Sequence, residues 1–137
     1  MMRTARAISA AAVVAAVTAI ATGAARADAL RHTMIPKDVW GTWAAKREFC
    51  TSHDKSSLIT IRDAGSTGPL ENCVVEYVDE AAGQGGPAYS AHMQCTDKDD
   101  PAKVTNRTFI VIPRGDTLSA GSDSLDLQTF YRCPVTN

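Results

Sequence analysis

From residue 30 onward, apolar and polar residues alternate along several segments, and no segment keeps the apolar period of an amphipathic helix. The clearest alternation runs over residues 73–79 and resumes over residues 88–95. The intervening residues 83–87 read Gly-Gln-Gly-Gly-Pro, a composition typical of a chain reversal. The pattern therefore predicts two antiparallel strands joined as a hairpin.

The position of the reversal also predicts which residues of the two strands lie opposite each other. If the reversal is symmetrical about Gln84, Cys73 lies opposite Cys95 and their sulfur atoms come within bonding distance. The same register gives two further apolar pairs, Val75 with Met93 and Tyr77 with Ala91. Because face and register agree, we predict a Cys73–Cys95 disulfide.

Other segments predict further strands with the same period of two. They cover residues 57–63, residues 105–113, a first strand near residues 39–49, and a last strand in which Leu125, Leu127, Tyr131 and Cys133 share a face. Six to eight antiparallel strands at this short spacing predict an all-β domain, either a small barrel or a sandwich.

The two remaining cysteines fit the barrel. In an up-and-down meander of seven strands, Cys50 and Cys133 reach the same rim on the first and last strands. Those strands become neighbours when a barrel closes. This topology predicts a Cys50–Cys133 disulfide.

Residues 1–29 have the features of a cleaved secretory signal peptide. Arg3 and Arg6 precede an alanine-rich apolar stretch over residues 7–21, and two overlapping A-x-A sites place the cut after Ala27 or Ala29. We therefore expect one mature domain over residues 30–137, periplasmic or secreted, with no membrane anchor. Residues 30–38 are expected to form a short N-terminal arm.

The charge balance narrows the class of partner. The chain has 14 Lys+Arg and 15 Asp+Glu, and cleavage after Ala27 leaves 11 basic and 15 acidic residues, a net charge of −4. A mildly acidic surface argues against nucleic acid or an anionic membrane as partner. Since 45% of the residues are hydrophobic and 21% are charged, we expect a folded, soluble monomer.

The sequence contains no arrangement that we can assign to catalysis. There is no G-x-S-x-G motif and no CxxC pair, and all four cysteines are expected to be consumed in disulfides. Three histidines, His32, His53 and His92, occur without a recognisable nucleophile. The acidic residues 97–101 lack the calcium-loop pattern. We therefore expect no enzymatic activity, no metal and no cofactor.

Two tryptophans, Trp40 and Trp43, stand out as candidate binding residues. One interpretation places them in the core, where one indole plugs a barrel end, the other covers it, and a large apolar surface is buried. The other leaves an indole exposed as an anchor for a partner. The sequence leaves both interpretations open.

Gly41-Thr42-Trp43 resembles the G-x-W signature that opens the first strand of lipocalin-like barrels. With Cys50 and Cys73 after it, the segment is also similar to the small periplasmic inhibitors of secreted bacterial metalloproteases. Those inhibitors are compact β-barrels whose N-terminal arm enters the protease cleft. The resemblance implies that residues 30–38 are such an arm, and it implies a Cys50–Cys73 disulfide in place of the pairing above.

Taken whole, the chain is similar to small four-cysteine secreted proteins of alphaproteobacteria whose function is unassigned. The shared features are the Trp followed by Cys, the C-x-V-x-x-V segment and the closing Tyr-Arg-Cys. We expect an exported, non-enzymatic binding protein, with a secreted or host protein hydrolase as the partner to be inhibited. The alternatives are a lipocalin-like carrier of a small apolar ligand, for which so short a chain leaves little room, and a structural envelope protein.

Overall fold

The computed structural model describes residues 29–52 and 55–135. The signal-peptide prediction for residues 1–29 therefore falls almost wholly outside the described residues, as does His53. The described strands are β1 Leu30–His32, β2 Gly41–Ala44, β3 Leu58–Arg62, β4 Gly65–Thr67, β5 Glu71–Gly83, β6 Gly86–Asp97, β7 Val104–Arg114, β8 Thr117–Gly121 and β9 Gln128–Arg132. Two short 3₁₀ helices, Lys37–Val39 and Arg47–Cys50, flank β2. No helix in these ranges is both long and apolar enough to cross a membrane.

Strands β2 to β9 form a closed antiparallel barrel of eight strands. Each strand pairs with the next along the chain, and β9 pairs back onto β2. The small barrel expected from the sequence is thus confirmed, and the sandwich is not found. The short β1 adds outside the barrel to the second half of β5.

The predicted hairpin is confirmed over its first half. Cys73 lies opposite Cys95 and Val75 opposite Met93, and the Cys73–Cys95 disulfide is present. Gly65 lies beside this pair. A side chain at this position would collide with β5, because an added Cβ would lie 1.9 Å from the carbonyl oxygen of Cys73. A glycine therefore lets β4 approach β5 closely.

The predicted register is wrong beyond Val75. A β-bulge between Val75 and Tyr77 inserts one extra residue, so that Tyr77 pairs with His92 and Val78 takes the place opposite Ala91. Val78 is fully buried, whereas Tyr77 lies on the outer face. The periodic pattern missed this change because a bulge moves every later residue to the other face.

The predicted ends of the chain also differ from the structure. The last strand begins at Gln128, so Leu125 and Leu127 lie in the preceding loop, where Leu125 is 94% exposed. The expected first strand is reduced to β2 between the two 3₁₀ helices. The strands β4 and β8 were not predicted, β4 because three residues are too few to show alternation and β8 although its residues do alternate.

The Cys50–Cys133 disulfide is confirmed, and the Cys50–Cys73 pairing implied by the resemblance is wrong. The seven-strand meander behind the Cys50–Cys133 prediction is also wrong, because the barrel has eight strands and Cys50 lies outside them. Cys50 ends the second 3₁₀ helix, and Cys133 directly follows β9, where its N–H donates to the carbonyl of Thr42 at 2.8 Å. The two disulfides indicate an oxidising compartment.

The arm over residues 30–38 contacts the barrel through its first three residues, Ile35 and Asp38. Its first three residues pair with Val78, Asp79 and Glu80 of β5. Ile35 is buried in the core next to Val39, and the Ile35 N–H donates to the carbonyl of Asp63 at 2.9 Å. The segment over residues 35–39 therefore closes one end of the barrel, which we call the closed end.

Tryptic mapping without reduction tests these pairings. No Lys or Arg lies between residues 63 and 97, so Cys73 and Cys95 share the single peptide 63–98. We expect that peptide to carry an internal disulfide, and we expect peptide 48–55 to be linked to peptide 133–137. A link between peptides 48–55 and 63–98 would contradict the structure.

Candidate ligand cavity

An apolar cavity of about 190 Å³ lies inside the barrel. Its walls come from inward-facing side chains of the barrel strands, among them Trp43, Ile61, Met93, Phe109, Val111 and Phe130. The sequence led us to expect little room in so short a chain. The space exists because small side chains, including Ala91 and Ala120, occupy inward positions that larger residues would otherwise fill.

At the end of the barrel opposite the closed end, the wall has an opening between β7 and β8. Strand β8 pairs with β7 only from Ile110 to Arg114, so residues 104–109 have no described strand partner on the side away from β6. A cleft of about 430 Å³ lies in this opening. It shares four lining side chains with the cavity, Ile59, Phe109, Ala120 and Phe130. The cleft therefore adjoins the cavity and supplies a route to it.

Polar groups lie where the cavity and the cleft meet. Glu71 lines the cavity, Arg107 lines the cleft, and Nε of Arg107 is 3.3 Å from Oε2 of Glu71. Their side chains are 27% and 51% exposed, respectively, so water screens the pair and its contribution to folding is small. Glu71 also lies near Cys73 and Cys95, but both sulfurs are in a disulfide and offer no thiolate to a metal.

The sequence analysis did not single out Glu71 or Arg107. Arg107 is two residues from Phe109, so it falls on the inward face of β7. A charged residue at an inward position could have indicated a binding site. The inward position of Arg107 could not be predicted, because the apolar run from 109 to 112 does not show which face of the strand is inside.

Trp43 and Trp40 belong to the closed end. Trp43 is 1% exposed, and its Nε1–H donates to the carbonyl of Val39 at 2.9 Å. Trp40 is partly buried against the core, and its Nε1–H donates to the carbonyl of Ile35 at 2.8 Å. Both indoles are thus packed and hydrogen-bonded, as the core interpretation expected. Trp43 also lines the cavity, which makes it a reporter of anything bound there.

Arg132 covers the closed end from outside. Its guanidinium lies 4.1 Å from the ring centroid of Trp43 and donates hydrogen bonds to the carbonyls of Trp40 and Asp38. Gly41 permits this position, since an added Cβ would lie 2.8 Å from Nη1 of Arg132. The glycine and tryptophan of the G-x-W segment are therefore explained by one contact with the last strand.

Tyr89 is the buried phenol of the closed end. It is 5% exposed, and its hydroxyl donates to Oδ2 of Asp38 at 3.1 Å. Burial, with the charge and hydrogen bond of Asp38, raises the pKa of Tyr89 to about 12. The phenol is neutral at physiological pH and joins β6 to the arm.

His92 lies in a polar cluster on the outer wall. Its Nδ1 is 3.2 Å from the hydroxyl of Thr108, its Nε2 is 3.6 Å from a carboxylate oxygen of Asp79, and its ring stacks on Tyr77. A hydrogen bond from Arg31 holds the pKa of Asp79 below its usual range. Hydroxyl, imidazole and carboxylate are the groups of a hydrolase triad. However, His92 lines neither the cavity nor the cleft, so we assign this cluster no catalytic role.

Comparisons with protein-family models, curated proteins and solved structures found no match to this chain. The function therefore has to be argued from the cavity and its surroundings.

Replacing Arg132 tests the closed end. Arg132→Met removes two charge-assisted hydrogen bonds and the contact with Trp43, and we expect the free energy of unfolding to fall by about 2 to 3 kcal/mol. Denaturant unfolding followed by tryptophan fluorescence measures this. The control is Arg62→Met at an exposed position of β3. Equal losses in the two variants would refute the role given to Arg132.

Alkaline titration tests Tyr89. Because folding raises its pKa from 10.0 to about 12, the stability that the neutral phenol provides is complete below pH 10.0 and is lost as pH rises through 12. We expect a late phase of phenolate absorbance near pH 12 that Tyr89→Phe removes. The control variant Tyr131→Phe should retain that phase, and its loss there would contradict the assignment.

Proposed function

We propose that this protein is an exported, non-enzymatic binding protein whose barrel cavity holds a small apolar molecule. The cavity of about 190 Å³ carries this proposal. An engineered apolar cavity of about 150 Å³ in another protein stays dry and binds benzene. A cavity of this size and lining accordingly suits a molecule of a single aromatic ring or a comparable aliphatic body.

Such a ligand would bind with moderate affinity. At about 0.7 kcal/mol for each of roughly nine non-hydrogen atoms, the binding free energy is about 6 kcal/mol, or a Kd in the tens of micromolar. That affinity supports reversible capture and release. Residues 1–29 support export, and the two disulfides support function in the periplasm or outside the cell.

Inhibition of a hydrolase ranks below this proposal. In the inhibitors that the G-x-W segment resembles, the arm enters the protease. Here residues 30–32 pair with β5, and Ile35 is buried in the core. An inhibitory arm would have to leave the barrel, at the cost of those backbone hydrogen bonds and that burial.

Binding of toluene tests the proposal. We expect it to change the fluorescence of Trp43 saturably and to raise the unfolding temperature, because a ligand of the folded state stabilises it by mass action. Ala91→Leu places a larger side chain in the cavity and should weaken binding at least about tenfold. The control is Ala82→Leu at the exposed end of the β5–β6 hairpin.

Circular dichroism and unfolding curves establish that each variant is folded. Should the native protein show no saturable response, or should folded Ala91→Leu bind toluene as well as the native protein does, the cavity is not the binding site.

A further inference from the structure

Where the cavity and the cleft meet, the guanidinium of Arg107 has N–H donors that make no hydrogen bond to a described residue. Arg107 is opposite Met93 in the β6–β7 pairing, and Met93 lines the cavity. Within the described residues, the ionic partner of Arg107 is Glu71, which it meets through Nε. The two terminal nitrogens of the guanidinium donate no hydrogen bond to a described residue, and they form the part of the side chain that suits a planar anion.

We propose that Arg107 binds the carboxylate of an amphipathic ligand whose apolar part fills the cavity. This inference rests on the proposed function and adds the class of ligand. A guanidinium has five N–H donors and can accept a second carboxylate on its terminal nitrogens while Nε stays near Glu71. The apolar part would then pass between Phe109 and Phe130, which line both spaces.

The Arg107–Glu71 ion pair favours an anion on Arg107 over a cation on Glu71. A cationic ligand would have to displace Arg107 from Glu71, whereas an anion adds to the pair without breaking it. Asp126 also lines the cleft, from the loop before β9. Its charge offers a second place for a cation, so an amine is the competing ligand in the test.

Three ligands, each with one aromatic ring and a short chain, distinguish binding of an apolar, an anionic and a cationic molecule. They are propylbenzene, phenylpropanoate and phenylpropylamine, titrated at neutral pH into the oxidised mature protein and followed by calorimetry. We expect phenylpropanoate to bind at least about tenfold more tightly than propylbenzene. Added salt should weaken the binding of phenylpropanoate and leave that of propylbenzene unchanged.

Variants assign the effect to Arg107. Arg107→Gln should lower the affinity for phenylpropanoate to that for propylbenzene and leave propylbenzene unaffected. Glu71→Gln should act in the opposite sense and raise the affinity for phenylpropanoate several-fold, because it removes a nearby negative charge that repels the ligand carboxylate. The control is Arg62→Gln, whose side chain is exposed and lines neither space.

Each outcome has a distinct meaning. If propylbenzene binds and phenylpropanoate binds no more tightly, or if phenylpropylamine binds best, the assignment to Arg107 is wrong while the proposed function stands. If Arg107→Gln does not alter the preference for phenylpropanoate, the assignment is also wrong. If none of the three ligands binds, the proposed function itself fails.

Discussion

Closure of the barrel rests on the short pairing of β2 with β9, and the interior space exists only because that pairing holds. Two residue pairs join these strands, Trp43 with Arg132 and Ala44 with Tyr131. A backbone hydrogen bond from Cys133 to Thr42 and several side chains supply the remaining connections across the pairing. Arg132 reaches over Trp43 to two backbone carbonyls, and the Cys50–Cys133 disulfide ties the chain after β2 to the chain after β9. Without these contacts the first and last strands would be two unpaired edges of an open sheet.

A small domain with an unfilled apolar interior gives up stability. By the measured cost of cavities, a space of about 190 Å³ corresponds to roughly 4 to 5 kcal/mol relative to a filled core. The disulfides span sequence separations of 83 and 22 residues. In the chain-entropy account, cross-links of these lengths contribute about 4.5 and about 3.4 kcal/mol. The covalent links therefore offset the cost of a volume that side chains do not fill, and this volume is compatible with a stable fold.

The candidate site combines small inward-facing residues with a charged pair from two separate strands, and sequence patterns reveal these two features to different extents. Ala91 and Ala120 lie on predictable inward faces, but their importance is the volume that they leave empty, which depends on what faces them across the barrel. Arg107 and Glu71 come from strands separated by β6, and they meet only because β5, β6 and β7 are adjacent in the wall. Their proximity to an apolar space, which they share with Asp126, distinguishes them from the other charged residues described.

The sequence by itself determined the all-β class, the β5–β6 hairpin and the Cys73–Cys95 pair, because alternation and a glycine-rich reversal act over neighbouring residues. The Cys50–Cys133 pair was predicted from a count of seven strands, but the barrel has eight and Cys50 lies in a 3₁₀ helix, so tertiary structure decided how this pair forms. Tertiary structure decided the bulge before Tyr77, the docking of the arm, the late start of β9 and the cavity. These features depend on contacts between distant segments. A local pattern of apolar and polar residues shows which side chains turn inward, but not whether together they fill the space that they enclose.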